Sequence, residues 1–251
     1  MIKINSLSNL KSSHIDALNS EKKREVLALL TSLNDYQKYN KIKYLYPDTG
    51  PFRRELYGKH LEFFAAGKKY QERLNMSGNR CGKTLAGGCE TSWHLDGDYP
   101  EWWSGRRFDK PTRFWAAGNT SKTTRDIVQL MLMGPVNDIG SGMIPKHRIL
   151  KTTPAAGGVP NAFDTVYVQH VSGGVSQLGY KSYAEGRKSF EGTEREGIWY
   201  DEECPFDVYG EGLMRIATTH GMCYTTFTPL LGLTELVLSF LPQEYSFSEA
   251  A

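Results

Sequence analysis

Cysteine is scarce in this chain, and long apolar runs, net charge and repeats are scarcer still. The four cysteines, Cys81, Cys89, Cys204 and Cys223, show no C-x-x-C spacing. This argues against a zinc site and makes reduced thiols in a cytosolic setting the expectation. No stretch approaches the ~20 apolar residues of a membrane-spanning helix, so no membrane partner is expected. The opening "MIKINSLSNLKSS" lacks the apolar middle of a secretory signal. Formal net charge is only +2, so any nucleic-acid surface has to be a local patch and not a global field. No internal repeat and no low-complexity tract is visible.

What is present suits a globular protein with a real core. Hydrophobic residues make up 39% of the 251 positions and charged residues 23%, enough for one large domain or two small ones. Residues 1–19 are polar and read as loosely ordered. "SEKKREVLALLTSLNDYQKY" reads as a helix capped by Ser20, because Val26, Leu27, Leu30 and Leu33 recur at helical spacing. "YPDTGP" is a break, and "RRELYGKHLEFFAAG" is a short helix ending at Gly67.

From there strands and helices alternate. "ERLNM" (Glu72–Met76) is a short strand, and "KTLAGGCETSWHL" is a helix. "TRFWAAG" is a second strand. "NTSKTTRDIVQLMLMG" is a helix capped by Asn119 or Thr120 and closed at Gly134. "DTVYVQHV" and "GVSQLGYKSY" form a hairpin across Gly173-Gly174. "EGIWYDEE" is a strand running into acid, "PFDVYGEGLMRIATTHG" a short helix and "MCYTTFTP" a strand. The alternation predicts an α/β fold with a mainly parallel sheet and helices on both faces.

"NMSGNRCGKT" carries the chemistry. A phosphate-binding loop needs a strand before it, a helix after it and small residues between, so that backbone N–H groups close on phosphate oxygens. The usual fingerprint is G-x-x-x-x-G-K-[ST]. Here Ser77 holds the place of the first glycine, and Gly78 follows it. If the loop binds phosphate, Lys83 reaches the β/γ-phosphates and Thr84 holds Mg²⁺. A Gly-Lys-Thr helix start without a ligand is the alternative.

Asp201 and Glu202 follow "GIWY". A strand ending in Asp-Glu downstream of such a lysine is the Walker B arrangement. Asp201 then serves the metal shell, and Glu202 polarises the attacking water. A solvated acidic loop, with Glu203 as a third acid, is the bland reading. Coupled to the lysine loop in this order, the catalytic reading is preferred. "YTTFTP" adds a strand whose threonines, Thr226 and Thr228, can sit beside the terminal phosphate. Arg80 lies inside the loop and can touch phosphate. Arg125, Arg187 and Arg215 are candidates for a finger from a neighbouring subunit, each with a surface ion pair or a DNA-backbone contact as the plainer alternative. The glycines near Gly157 and Gly173 read as turns. The tryptophans of "PEWWSGRRF" can stack on bases, but packing against the sheet edge is the expectation.

Taken together, "YGKHLEFFAAGKKYQERLNMSGNRCGKT", "RFWAAGNT", "GRKSFEGTEREGIWYDEECPFDVYGEGLMR" and "TTFTPLLG" resemble the large terminase subunit of tailed double-stranded DNA bacteriophages, the short-tailed type especially. The resemblance covers about Ser20 to Pro242. It implies a P-loop NTPase of the ASCE type, with ATP and Mg²⁺ as cofactors, that hydrolyses ATP to drive DNA translocation. The loop residues Ser77, Gly78, Asn79, Arg80, Cys81, Gly82, Lys83 and Thr84 would hold the nucleotide. Lys83, Glu202 and Arg80 would serve catalysis, Thr84 and Asp201 the metal, and Thr226 and Thr228 coupling. His60 stands where relatives often carry a glutamine that reads adenine. The implied partners are double-stranded DNA, the portal protein, the small terminase subunit and further copies in a pentameric ring docked on the procapsid. The implied place is the cytoplasm of the infected host, outside the mature virion. The expected division is a helical lead-in at 1–50, an ATPase domain at 51–242 and a tail at 243–251. No carboxylate cluster follows Thr228, so nuclease activity is not expected of this chain. A helicase-like motor and a non-catalytic assembly subunit are the rival readings.

Overall fold

The computed structural model describes residues 19–156 and 158–241. The readings for 1–18, for Gly157 and for the tail lie outside them. A seven-stranded sheet forms the centre, in the order β1-β7-β6-β2-β5-β4-β3. The strands are β1 (Glu72–Met76), β2 (Arg113–Gly118), β3 (Ile149–Pro154), β4 (Phe163–Gln169), β5 (Val175–Ser182), β6 (Gly197–Asp201) and β7 (Met222–Phe227). β1, β7, β6, β2 and β5 run parallel, and β4 and β3 extend the sheet antiparallel. The helices are α1 (Ser20–Tyr39), α2 (Gly58–Ala66), α3 (Lys83–Asp96), α4 (121–133), α5 (Phe206–Ala217) and α6 (Glu235–Ser239).

β6 and β7 are buried at every position. This is why they read as near-continuous apolar runs, as central parallel strands do. Their alternate side chains enter two cores. Trp199 and Tyr224 join Phe114, Val166 and Leu178 beneath Ala86, Cys89 and Trp93 of α3. Ile198 and Tyr200 join Trp115, Cys223 and the α5 residues Val208, Tyr209 and Ile216 on the other face. The predicted two-faced α/β sheet is therefore present. α3 approaches the sheet closely because Gly87 has no side chain, since a Cβ there would lie 2.4 Å from the Trp199 indole nitrogen.

Four local readings need correction, and one of two alternatives is decided, the Thr120 cap of α4. α1 is capped by Asn19, whose Oδ1 accepts from the Lys22 amide at 2.9 Å, and not by Ser20. The helix after β2 is capped by Thr120, with Thr123 completing a capping box. Its middle, Thr124–Gln129, is a π-turn that sequence periodicity does not register. β3 has no counterpart in the sequence reading. It is an edge strand with register shifts at Ile149/Lys151 and Thr153/Pro154, so its burial does not alternate. The tryptophans do pack, but on helices. The Trp103 ring lies 4.9 Å from Trp93 of α3 and 5.1 Å from Phe64 of α2, centroid to centroid.

Candidate nucleotide site

The loop 77–82 leaves the end of β1 and enters α3 at Lys83. Both arms are clamped below it. Arg73 of β1 makes a bidentate pair with Glu90 of α3 at 2.6 and 3.1 Å and donates to the Phe63 carbonyl at 2.7 Å. Both side chains are buried. Burial alone would raise the Glu90 carboxyl, but Arg73 and His94 outweigh it and hold it below the usual range. His94 donates to Glu90 through Nε2 and accepts from Tyr99 through Nδ1. Burial lowers the pKa of this imidazole, against the pull of Glu90.

The loop turns through two left-handed residues, Arg80 at φ 64° and Gly82 at φ 77°. Only glycine fits at position 82, where a Cβ would meet the His60 ring at 2.8 Å. His60 is buried beneath the loop. Its Nε2 lies 2.9 Å from the Cys81 carbonyl, which can only accept, so Nε2 carries the proton. Nδ1 then accepts from the Tyr46 hydroxyl at 2.9 Å. Desolvation lowers the pKa of the ring, against the pull of the Cys81 carbonyl. Both nitrogens that an adenine reader would offer to the base are thus engaged, one by the loop at Cys81 and one by Tyr46.

Lys83 folds back under the loop. Its ammonium donates to the carbonyls of Ser77 at 3.0 Å and Gly78 at 2.6 Å and to Thr228 Oγ1 at 2.9 Å. Thr228 in turn donates to Asn79 Oδ1 at 2.9 Å. The parallel order β1-β7-β6 makes this possible by putting the ends of all three strands on one edge. Thr84 Oγ1 donates to Asp201 Oδ1 at 3.0 Å, across a sequence gap of 117 residues. Thr226 donates to the same oxygen at 2.9 Å and accepts from the Trp199 indole at 2.8 Å. Burial raises the Asp201 carboxyl to about 6, against the pull of Thr226 and Thr84.

Glu202 leaves β6 at φ 68°, a conformation that non-glycine residues seldom adopt. Its amide donates to the Thr226 carbonyl at 3.0 Å. The half-buried residue directly follows Asp201. Glu203 points elsewhere and accepts from Thr234, the N-cap of α6. Arg80 and Cys81 are exposed on the loop.

The other arginines have partners within the chain. Arg125 binds Asp126 at 2.7 Å and the Pro160 carbonyl at 2.8 Å. Arg187 and Arg215 share Glu211, at 3.0 and 2.9 Å. Sequence reasoning missed Tyr46, Trp199 and Tyr183, which brace the residues of this site. A tyrosine or tryptophan near a strand gives no signal of that kind, since only the strand order brings it to the loop.

Thr84 and Asp201 offer adjacent hard oxygen donors, the chemistry that suits a magnesium shell completed by phosphate and water. Among the described residues no cluster of three or more His, Cys, Asp or Glu side chains forms a protein-only metal cage. No helix among them is long and apolar enough to cross a membrane.

Residues 74–251 match the family described as "Terminase large subunit, T4likevirus-type, N-terminal". The large terminase subunit of Salmonella phage P22 is 34% identical over 249 residues, covering 90% of this chain and 48% of that protein. The chain thus spans about half the length of that relative. Solved structures with similarity include the large terminase of a thermophilic bacteriophage in complex with ADP, at 15% identity and TM-score 0.46, covering 68% of this chain and 37% of that one. Another is the HK97 bacteriophage large terminase, at 13% identity and TM-score 0.45, covering 72% and 33%. On the family match and the P22 similarity, the chain belongs to the terminase large subunit family and corresponds to its N-terminal part.

Proposed function

We propose that this chain is an ATPase domain whose hydrolysis of ATP, with Mg²⁺, drives double-stranded DNA into a phage procapsid. The Thr84–Asp201 contact carries the reading, because it joins the helix start after the loop to the acidic end of β6. The loop amides and Lys83 bind the phosphates. Mg²⁺, when bound, neutralises phosphate charge and fixes its geometry. Thr84 and Asp201 would hold it. Glu202 orients and deprotonates the attacking water, while exposed Arg80 is free to meet phosphate. Thr226 and Thr228 link the site to β7 and so to movement.

On this reading the wider assembly is a ring of copies on the portal, with a small subunit that selects DNA. Within it this chain supplies the short-tailed type of motor, with the ATPase fold over 51–242 and the lead-in before it. The direct test is steady-state ATP hydrolysis with Mg²⁺, with and without DNA. Lys83→Ala loses a charge-assisted phosphate contact and should lower turnover by at least about a hundredfold, as loss of a principal electrostatic group does. Unchanged turnover in that variant would remove the phosphate-loop assignment.

A further inference from the structure

Tyr183 stands at the exit of β5, in the 3₁₀ turn Tyr183–Glu185. Its ring is buried, with 6% exposure, in the core on the α5 side of the sheet. The phenol crosses the end of β2 and reaches the end of β6. Its single proton faces three backbone carbonyls, those of Asp201 at 3.0 Å, Ala117 at 3.2 Å and Glu202 at 3.3 Å. Two of these belong to the peptides on either side of the left-handed Glu202. That residue is therefore gripped from both directions. Its amide is held by Thr226 of β7, and its carbonyl side is held by Tyr183 from β5.

A non-glycine residue at positive φ carries a cost and persists only where its surroundings over-determine it. Relaxation of this turn would re-aim the Glu202 side chain, which leaves the chain directly after Asp201. The hydroxyl does not contact the loop 77–82. We propose that Tyr183 is a positioning residue that sets the aim of the Glu202 carboxylate without taking part in nucleotide binding. This rests on the reading of Glu202 as the group that activates water.

The test compares wild-type chain, Tyr183→Phe, Glu202→Gln and the double variant, in Mg²⁺-ATP turnover and in equilibrium nucleotide binding. The phenylalanine keeps the ring and removes only the one hydroxyl proton shared among these carbonyls, worth about two- to tenfold in an equilibrium or rate. Tyr183→Phe should lower kcat about tenfold and leave the nucleotide Kd within about twofold. In the Glu202→Gln background it should cause no further loss. Hydrogen exchange at 201–205 should quicken in Tyr183→Phe, with the loop 77–82 unchanged. An unaltered kcat, a parallel loss of affinity, or full additivity in the double variant would each overturn the proposal. Unaltered exchange at 201–205 would do the same. A wild-type chain without turnover would instead remove the reading of Glu202 itself, and the inference with it.

Discussion

At the residue scale, His60 and Lys83 differ in how far a sequence can speak for them. Lys83 and Thr84 are legible because loop chemistry requires those types at that spacing. Asp201 and Glu202 are legible because an apolar strand ends in them. Resemblance alone points His60 to the base pocket, and the structure gives both its nitrogens to Cys81 and Tyr46. Its effect on nucleotide binding should therefore be indifferent to the base. His60→Ala removes two hydrogen bonds, each worth about 1 kcal/mol, from beneath Gly82. Binding of ATP and of GTP should weaken together, by up to about thirtyfold. Competition titrations of the two nucleotides measure this, and a loss confined to ATP would return His60 to the adenine pocket. Tyr46 and Tyr183 are beyond sequence reasoning. Their roles come from which strand and loop ends the fold brings together, and nothing local marks them.

At the scale of elements, β6 and β7 are legible because full burial writes itself as an apolar run. β3 is not, because its bulges break the two-residue period. The π-turn in α4 is invisible for a related reason, since one residue of extra winding leaves the helical pattern intact at both ends. The β1–loop–α3 unit is the element that matters most. Its two arms are locked by Arg73 and Glu90, so the loop spans a rigid gap. Across that gap the end of β7 meets the loop through Thr228, which takes one proton of Lys83 and gives its own to Asn79. On the proposed reading, an entering phosphate would compete with Thr228 for the ammonium. Thr228→Val keeps the shape and removes the competitor. Nucleotide affinity should then rise by about fivefold, the worth of roughly one hydrogen bond. Isothermal titration with an ATP analogue reads the sign. A fall in affinity would make Thr228 a direct phosphate ligand instead.

At the scale of the whole molecule, strand order does the work that no segment can. Placing β7 between β1 and β6 brings Lys83, Thr84, Asp201, Glu202, Thr226 and Thr228 to one edge of the sheet. β–α alternation predicts a parallel sheet and helices on both faces, but it cannot rank the strands. What sequence says of their neighbours comes from the motifs, whose chemistry requires the loop and the acidic strand end to meet. The antiparallel pair β4 and β3 widens the sheet on the far side and stays outside that chemistry.

The central claim is that this edge binds ATP and that Glu202 turns binding into hydrolysis. The most direct measurement is ATP affinity and single-turnover hydrolysis on the same preparations of wild-type and Glu202→Gln chain with Mg²⁺. The account predicts that Glu202→Gln binds ATP as the wild type does, within about threefold, and hydrolyses it at least about a hundredfold more slowly, the range for loss of a general base. Retained hydrolysis in Glu202→Gln, or loss of binding together with hydrolysis, would contradict it.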